Sequence, residues 1–195
     1  MANVFLNSLW PGLVVWVALY ISDYVLTIVC ARLYHAGVKD KLVFEGSYEI
    51  TPHFQRDIDS LRRVSPRFLA ALGLIVLMLS LVWWATRQID FPEAYHLVLG
   101  AFIGLQLTIH TRHLRNLFLF RAILSAEGIQ GRMEYRRAQM LRLSSLELLA
   151  FSGLFVVLFL FTQSWFVLGG AMGCMAVAGK HRKLAREHVS NAPTP

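Results

Sequence analysis

Charged residues are scarce in this chain. Only 16% of its 195 residues are Asp, Glu, Lys or Arg, whereas 56% are hydrophobic. A soluble domain typically has about 25% charged and about 45–50% apolar residues. The deficit argues against an ordinary soluble domain. Because the apolar residues also occur in long runs, the sequence predicts an all-α integral membrane protein.

Cysteines and enzyme motifs are scarce as well. The two cysteines, Cys30 and Cys174, both fall inside apolar runs, which excludes a disulfide framework or a C-x-x-C metal site. The sequence contains no G-x-S-x-G, H-E-x-x-H or phosphate-loop pattern. No cofactor is therefore predicted, and an enzymatic activity is left uncertain, with the balance against it.

Basic residues are in excess, with a net charge of +7. Nucleic-acid binding is not predicted, because basic residues beside membrane helices follow from the positive-inside rule. The N-terminal stretch MANVFLNSLWPG has neither a basic region nor a small-residue cleavage site. The first apolar run is therefore expected to stay as a membrane anchor.

The apolar runs predict a bundle of five transmembrane helices within a single domain, residues 1–189. Ser65 and Pro66 suit the N-cap and first position of the second helix. The last apolar run, 146–179, is longer than the roughly 20 residues of one span, and polar residues at 162–164 interrupt it. We therefore predict a tight helical hairpin there. The predicted spans are about 9–34, 66–87, 92–121, 139–161 and 165–187.

The distribution of positive charge predicts the orientation. With the N-terminus outside and the C-terminus cytoplasmic, only Arg87 of the 19 Lys and Arg residues lies near an external end. Four spans would leave the basic tail KHRKLAREH outside, against the rule. The predicted location is the bacterial cytoplasmic membrane.

The predicted cytoplasmic loop, 35–65, contains an amphipathic pattern. Phe54, Ile58 and Leu61 recur at helical spacing with charges between them. This favours a short helix, about 53–64, lying on the inner membrane surface. Residues 190–195 are predicted to be a disordered tail.

A polar stripe follows one face of the first predicted helix and includes Asp23 and Thr27. Its members fall within about 80° of arc on a helical wheel. A carboxylate inside a bilayer is costly and usually faces a bundle interior or a wet cavity. Two roles would explain a carboxylate at this position: Asp23 either links two helices or belongs to a functional site. The stripe consists of Trp16, Tyr20, Asp23, Thr27, Cys30 and Tyr34.

The third predicted helix offers partners for that carboxylate. Gln106, His110 and His113 lie within about 60° of one another on a helical wheel, and Glu147 lies at the inner end of the fourth helix. The sequence therefore predicts an intramembrane polar site in one layer. Two histidines at helical spacing are a weak metal pattern, so no metal is predicted. The predicted site comprises Asp23, Thr27, Gln106, His110, His113 and Glu147.

Arg112 and Arg115 are predicted to lie on another face, where they could hold a phosphate or lipid headgroup. Alternatively they only snorkel to the membrane surface. In the loop, Glu45 and Glu49 are functional candidates or simply solvated residues. Small residues in the third and fifth helices predict close helix packing or an oligomer seam; they are Gly100, Gly104, Gly169, Gly170 and Gly173.

Asp23-x-x-x-Thr27 followed by Glu49-Ile50-Thr51-Pro52 resembles a pattern in small bacterial multi-pass membrane proteins of unassigned function. Those proteins carry an Asp in the first helix and then E-x-N-P, where this chain has Thr51 in place of the Asn. The resemblance covers about 30 residues. It implies a bacterial membrane protein and no particular activity.

Three functions fit these features. The favoured one is a small channel or transporter, oligomeric because five short spans leave little room for a private pore. The second is a membrane enzyme acting on a lipid or lipid-linked phosphate at the inner leaflet. The third is a non-catalytic scaffold subunit of a membrane complex. The expected partners are membrane lipids with anionic headgroups, and further copies of the chain or a membrane partner protein.

Overall fold

In a computed structural model of the protein, residues 8–49, 53–125 and 131–190 are described. Within these ranges the chain forms six α-helices and two short strands, so the all-α prediction is confirmed. A 3-10 turn, Val38–Asp40, follows the first helix. The elements are α1 (Leu9–His35), β1 (Leu42–Phe44), α2 (Gln55–Asp59), α3 (Pro66–Gln88), α4 (Pro92–Leu124), β2 (Met133–Tyr135), α5 (Arg137–Thr162) and α6 (Trp165–Ser190).

Local sequence signals explain where these helices begin and end. Ser65 is the N-cap of α3 and accepts a hydrogen bond from the Phe68 N–H at 3.3 Å, with Pro66 at the first helical position. The α5 helix ends at Thr162, where Gln163 adopts a left-handed φ of 50°. This residue turns the chain directly into α6, so the predicted helical hairpin is present.

Three of the helices are long and apolar enough to cross a membrane by length and composition. They are α1, α3 and α5, and they indicate a membrane protein. The α4 and α6 helices are as long but carry several charged residues in their C-terminal halves. The bundle has two ends: we call the end with connections 89–91 and 163–164 the turn end, and the end with connections 36–65 and 125–136 the loop end.

Glycines let α4 and α6 cross with their backbones in contact near the turn end. A Cβ atom added at Gly104 would lie 2.6 Å from the Gly170 Cα, and one at Gly173 would lie 2.6 Å from the Ala101 carbonyl oxygen. A Cβ at Gly100 would overlap the carbonyl of Phe166, and one at Gly169 would overlap that of Leu97. The predicted small-residue face therefore forms a contact within the chain rather than being left open for a second copy.

Apolar side chains fill the remaining space of the turn end. Trp16, Leu79 and Leu99 are 0% exposed, and Tyr95 is 1% exposed. They belong to one cluster contributed by α1, α3 and α4. Together with the glycine contact, this cluster leaves the turn end densely packed.

The loop connecting α1 and α3 differs from the predicted surface helix. The α2 helix has only five residues, Gln55–Asp59, instead of covering 53–64. Ile58 is 1% exposed and packs in a protein core with Tyr24 and Phe68, with Phe54 and Leu61 beside it. The apolar stripe therefore faces protein rather than lipid, because tertiary packing offers it a better partner than the membrane surface.

A pair of parallel strands joins the two connections at the loop end. Leu42 lies opposite Met133, and Phe44 lies opposite Tyr135. The Glu45 carboxylate accepts a 2.8 Å hydrogen bond from the Arg137 N–H, at the start of α5. A carboxylate there also interacts favourably with the helix dipole.

Two sequence predictions fall partly outside the described residues. Ile50, Thr51 and Pro52 of the E-x-N-P-like stretch are not among them, and neither are residues 191–195 of the predicted disordered tail. Ser190, predicted to belong to that tail, is the last residue of α6.

Candidate functional site

A cavity of about 560 Å³ lies in the loop-end half of the bundle. Its floor is α4, one wall is α1 with the loop after it, and the other wall is α5 with α6. The α1 helix packs on α4, while α5 packs along α6. Because α1 and α5 form no extensive contact with each other, a crevice remains between them over α4.

The rim of the crevice contains exposed side chains on both sides. Leu143 of α5 is 46% exposed and Leu119 of α4 is 38% exposed, although both line the cavity. The Arg115 side chain is 63% exposed. The cavity therefore opens laterally, between helices, at a rim that is partly apolar and partly cationic.

Asp23, Thr27 and His113 meet in the wall between α1 and α4. The His113 Nε2 atom lies 3.1 Å from the Asp23 Oδ1 atom and 3.3 Å from the Thr27 Oγ1 atom. The contact with Oδ1 is close but not aligned as a hydrogen bond, because that oxygen has no hydrogen-bond partner. Its contribution is therefore mainly electrostatic.

Hydrogen-bond accounting assigns the proton on His113. Thr27 donates its hydroxyl proton to the Asp23 carbonyl oxygen at 2.9 Å, so its Oγ1 atom can only accept from His113. The Nε2 atom must then carry a proton, which also places that proton beside the Asp23 carboxylate. In the neutral imidazole, Nδ1 is left as the basic nitrogen.

Besides Asp23 Oδ1, two further buried polar atoms near this wall lack hydrogen-bond partners among the described residues. They are His113 Nδ1 and Gln106 Oε1. Gln106 lines the cavity and is 8% exposed. Buried polar groups are normally hydrogen-bonded, and exceptions often mark a functional site or a place for water or ligand. Both atoms can accept a proton or a hydrogen bond.

A second polar group bridges α4 and α5. Arg112 Nε donates to Glu147 Oε2 at 3.0 Å, and Arg115 Nη1 donates to Glu147 Oε1 at 3.1 Å. One carboxylate thus holds both guanidinium groups. Each guanidinium has five N–H donors, so most of them stay available for another anion.

The sequence predicted that Arg112 and Arg115 lie on a separate face of α4, but in the structure they share the cavity side with His113. At about 100° per residue, the cavity side of α4 is an arc centred near Ile109 and Asn116, and it includes Arg112 as well as His113. His110 lies outside this arc. Its Nε2 atom is 2.6 Å from Ser22 Oγ, and its Nδ1 donates to the Gln106 carbonyl oxygen at 2.7 Å.

The structure therefore divides the predicted polar layer. Asp23, Thr27, Gln106, His113 and Glu147 all line the cavity, whereas His110 pairs with Ser22 and does not line it. The α1 helix supplies Ser22 and Asp23 on neighbouring faces, and each meets a different histidine.

Several cavity residues were not identified from the sequence. Ser144 Oγ lies 2.9 Å from His181 Nδ1, joining α5 to α6. Asn116 donates to the Tyr48 hydroxyl at 3.4 Å. Burial raises the pKa of Tyr48 well above its usual value, so its phenol stays neutral. A polar residue on an apolar helix, such as Ser144 on α5, was the available signal, and the identity of its partner depends on helix register.

Aromatic rings also line the cavity. Tyr20 and Tyr24 stack on Phe68 with ring centroids 4.9 Å and 4.4 Å away, and Phe44 stacks on Tyr135 at 6.0 Å. All five rings line the cavity. The cavity is therefore amphiphilic, because its lining combines charged groups with aromatic surface.

The two loop carboxylates have different positions. Glu49 lines the cavity, whereas Glu45 caps α5 and is not a lining residue. In the described part of the chain, no group of three His, Cys, Asp or Glu side chains is arranged to hold a metal ion.

Comparison of the chain with models of known protein families, with curated proteins and with solved structures gave no significant match. The functional proposal therefore depends on the chemistry of the cavity.

Proposed function

We propose that all five long helices span a bacterial cytoplasmic membrane, with the loop end in the cytoplasm. The glycine contact binds α6 closely to α4, and α4 is packed between α1 and α6. Part of the polar surface of α4 and α6 packs against other helices. These two helices can therefore span a membrane with fewer apolar residues than a helix that is surrounded by lipid. This topology also places the basic tail inside.

Within this topology, we propose a membrane enzyme that acts on a lipid or lipid-linked phosphate at the inner leaflet. The observation that carries the proposal is the shared cavity of the Arg112–Glu147–Arg115 bridge and the Asp23–His113 pair. Arginines prefer phosphate oxygens as bidentate partners, while a histidine with one nitrogen fixed can act as a general base through the other.

Each part of the cavity has a role in this reaction. Arg112 and Arg115 hold the phosphate, and Glu147 keeps their guanidinium groups oriented before the substrate arrives. His113 Nδ1 accepts the proton of an attacking hydroxyl or water as its oxygen bonds to phosphorus, and the adjacent Asp23 carboxylate stabilises the resulting imidazolium. The phosphorus–oxygen bond to the leaving group breaks, and the imidazolium returns the proton to the departing oxygen. The aromatic rings contact the apolar part of the substrate, which enters through the lateral opening.

The test uses purified protein in nanodiscs of neutral phospholipid, supplied with a phosphate-labelled bacterial lipid extract. The expected result is release of a labelled product, reduced at least a hundredfold in His113→Gln, as expected for loss of an acid–base group. The matched control is His110→Gln, which also loses a histidine contact between α1 and α4 but lies outside the cavity. Full activity in Arg112→Gln and Arg115→Gln together would contradict the proposal.

A transporter remains the second candidate, and the intramembrane Asp23–His113 pair favours it because such pairs can carry protons. The densely packed turn end argues against a fixed pore within one chain. Flux of labelled substrate or protons into proteoliposomes, changed by Asp23→Asn, would favour transport. Product release without flux would favour the enzyme.

A further inference from the structure

A second, basic pocket lies between α5 and α6 at the loop end, outside the cavity described above. Its volume is about 360 Å³, and three of its lining residues are Arg142, Arg182 and Arg186. The described residues provide none of these arginines with an ion pair or a side-chain hydrogen bond. The ion pairs among the described residues involve other cations, such as Arg112 and Arg115.

The helix register brings these three arginines together. Ser145 donates to the Ala178 carbonyl oxygen at 2.9 Å, and Ser152 donates to the Ala171 carbonyl oxygen at 2.9 Å. These two bonds fix an antiparallel alignment. Arg142, nearly one turn before Ser145, is then level with Arg182, and Arg186 follows one turn further along α6.

Like charges repel, so three guanidinium groups around one pocket favour an anion that neutralises them. Guanidinium forms bidentate hydrogen bonds with phosphate oxygens, and Arg matches that geometry better than Lys. The rest of the pocket is largely apolar, with Leu146, Leu149 and Ala185 in its lining. Leu146 is 63% exposed and continues the lipid-facing surface of α5.

The depth of the pocket suits a lipid headgroup if α5 and α6 span the membrane. About 20 helical residues cross the hydrocarbon core. Counted from Thr162 and Trp165, at the turn end, this length ends near Arg142 on α5 and between Arg182 and Arg186 on α6. The arginines are then at the level of the phosphates of the inner leaflet, with Leu146 and Leu149 at the level of the acyl chains.

We propose that this pocket binds the phosphate-bearing headgroup of an anionic phospholipid. The three arginines contact the phosphate, and the leucines contact the first methylene groups of the acyl chains. Basic pockets between membrane helices on the cytoplasmic side are known to hold such headgroups. The site is independent of the proposed enzymatic activity, since it shares no lining residue with the larger cavity.

The experiment is native mass spectrometry of the full chain in a neutral detergent. The probes are phosphatidylglycerol, phosphatidylcholine and inorganic phosphate, titrated separately. The test variant replaces Arg142, Arg182 and Arg186 with Gln. The matched control replaces Lys39, Lys180 and Lys183 with Gln, because it removes the same charge at the same end of the protein without touching the pocket.

Phosphatidylglycerol should bind with a stoichiometry of one, more tightly than phosphatidylcholine. At about 1 kcal/mol per basic residue, the three-arginine variant should bind it about a hundredfold more weakly, while the lysine control stays close to wild type. Equal losses in both variants, or equal binding of phosphatidylcholine, would overturn the proposal. Inorganic phosphate binding as tightly as the lipid would overturn it in favour of a free-anion site. If the triple variant does not fold, Arg182→Gln against Lys183→Gln makes the same comparison.

Discussion

The two ends of the helix bundle are built from the same helices but in opposite ways. At the turn end, α4 presents Gly100 and Gly104, and the α6 backbone lies directly against them. At the loop end, α4 presents Arg112, His113 and Asn116 to a cavity. One helix therefore belongs to a dry, close-packed region and to a polar, open one, with a change of character over about two turns.

The difference shows how a cavity is maintained in a small bundle. The glycine contact holds α4 and α6 together at the turn end. The loop-end half of the bundle can therefore contain a cavity without the two helices separating. Side-chain bridges between α4 and α5, made by Glu147, and between α1 and α4, made by His113, hold its walls. The turn end is the close-packed part of the bundle, and the loop end contains the polar side chains of the candidate site.

The largest effect is expected from breaking the close-packed end. In Gly169→Leu, the new side chain would meet the Leu97 backbone, which cannot move aside as a flexible side chain could. We expect a loss of about 3 kcal/mol or more, at the upper end for overpacked sites, seen as a lower melting temperature in detergent. The control is Gly153→Leu on α5, where an added Cβ meets nothing within 4 Å. An unchanged melting temperature in Gly169→Leu would contradict the close contact.

An intermediate effect is expected from the carboxylate that bridges the open end. Glu147→Ala removes the partner of Arg112, whose side chain is 14% exposed, and should cost about 2 kcal/mol. Arg112→Gln should have a similar effect. Arg115→Gln should cost under about 1 kcal/mol, because that side chain is 63% exposed. Thermal unfolding of the three variants measures this ranking. Equal losses of unfolding free energy in the two arginine variants would show that burial does not determine how much each ion pair contributes.

The smallest effect is expected at the strand pair that closes the loop end. Glu45→Gln weakens the cap on the Arg137 N–H and removes a negative charge from the start of α5, at a cost of about 0.5 kcal/mol. Glu134→Gln is the control, since among the described residues the Glu134 carboxylate pairs only with exposed Arg132, two positions away. Amide hydrogen exchange of the first turn of α5 should rise in Glu45→Gln alone. An equal rise in both variants would exclude a capping role.

The sequence predicted the long helices well and the loop end poorly. Helix boundaries near Ser65 and Gln163 follow from local signals, a capping hydroxyl and a polar interruption, which do not depend on distant residues. The length of α2 and the pairing of β1 with β2 depend on segments far apart in the chain. No local pattern reports such contacts, so α2 was predicted too long and the strands were missed.

The candidate site shows the same limit at the level of single residues. Helical spacing predicted Gln106 and His113 on neighbouring faces, but it could not fix how α4 is rotated against α1. A rotation of about 60°, less than one residue, decides whether Asp23 meets His110 or His113. The structure places His113 beside Asp23 and gives His110 to Ser22.

The parallel strands also determine when the cavity can be completed during synthesis. Glu45 and the residue it caps, Arg137, are 92 positions apart in the chain. Four helices must therefore leave the ribosome before the first strand can meet its partner. Until then the aromatic ring of Phe44 has no Tyr135 to stack on, and the rim on the α5 side does not exist. Since contacts between distant segments form late, the cavity should take its native form only after β2 has been synthesised.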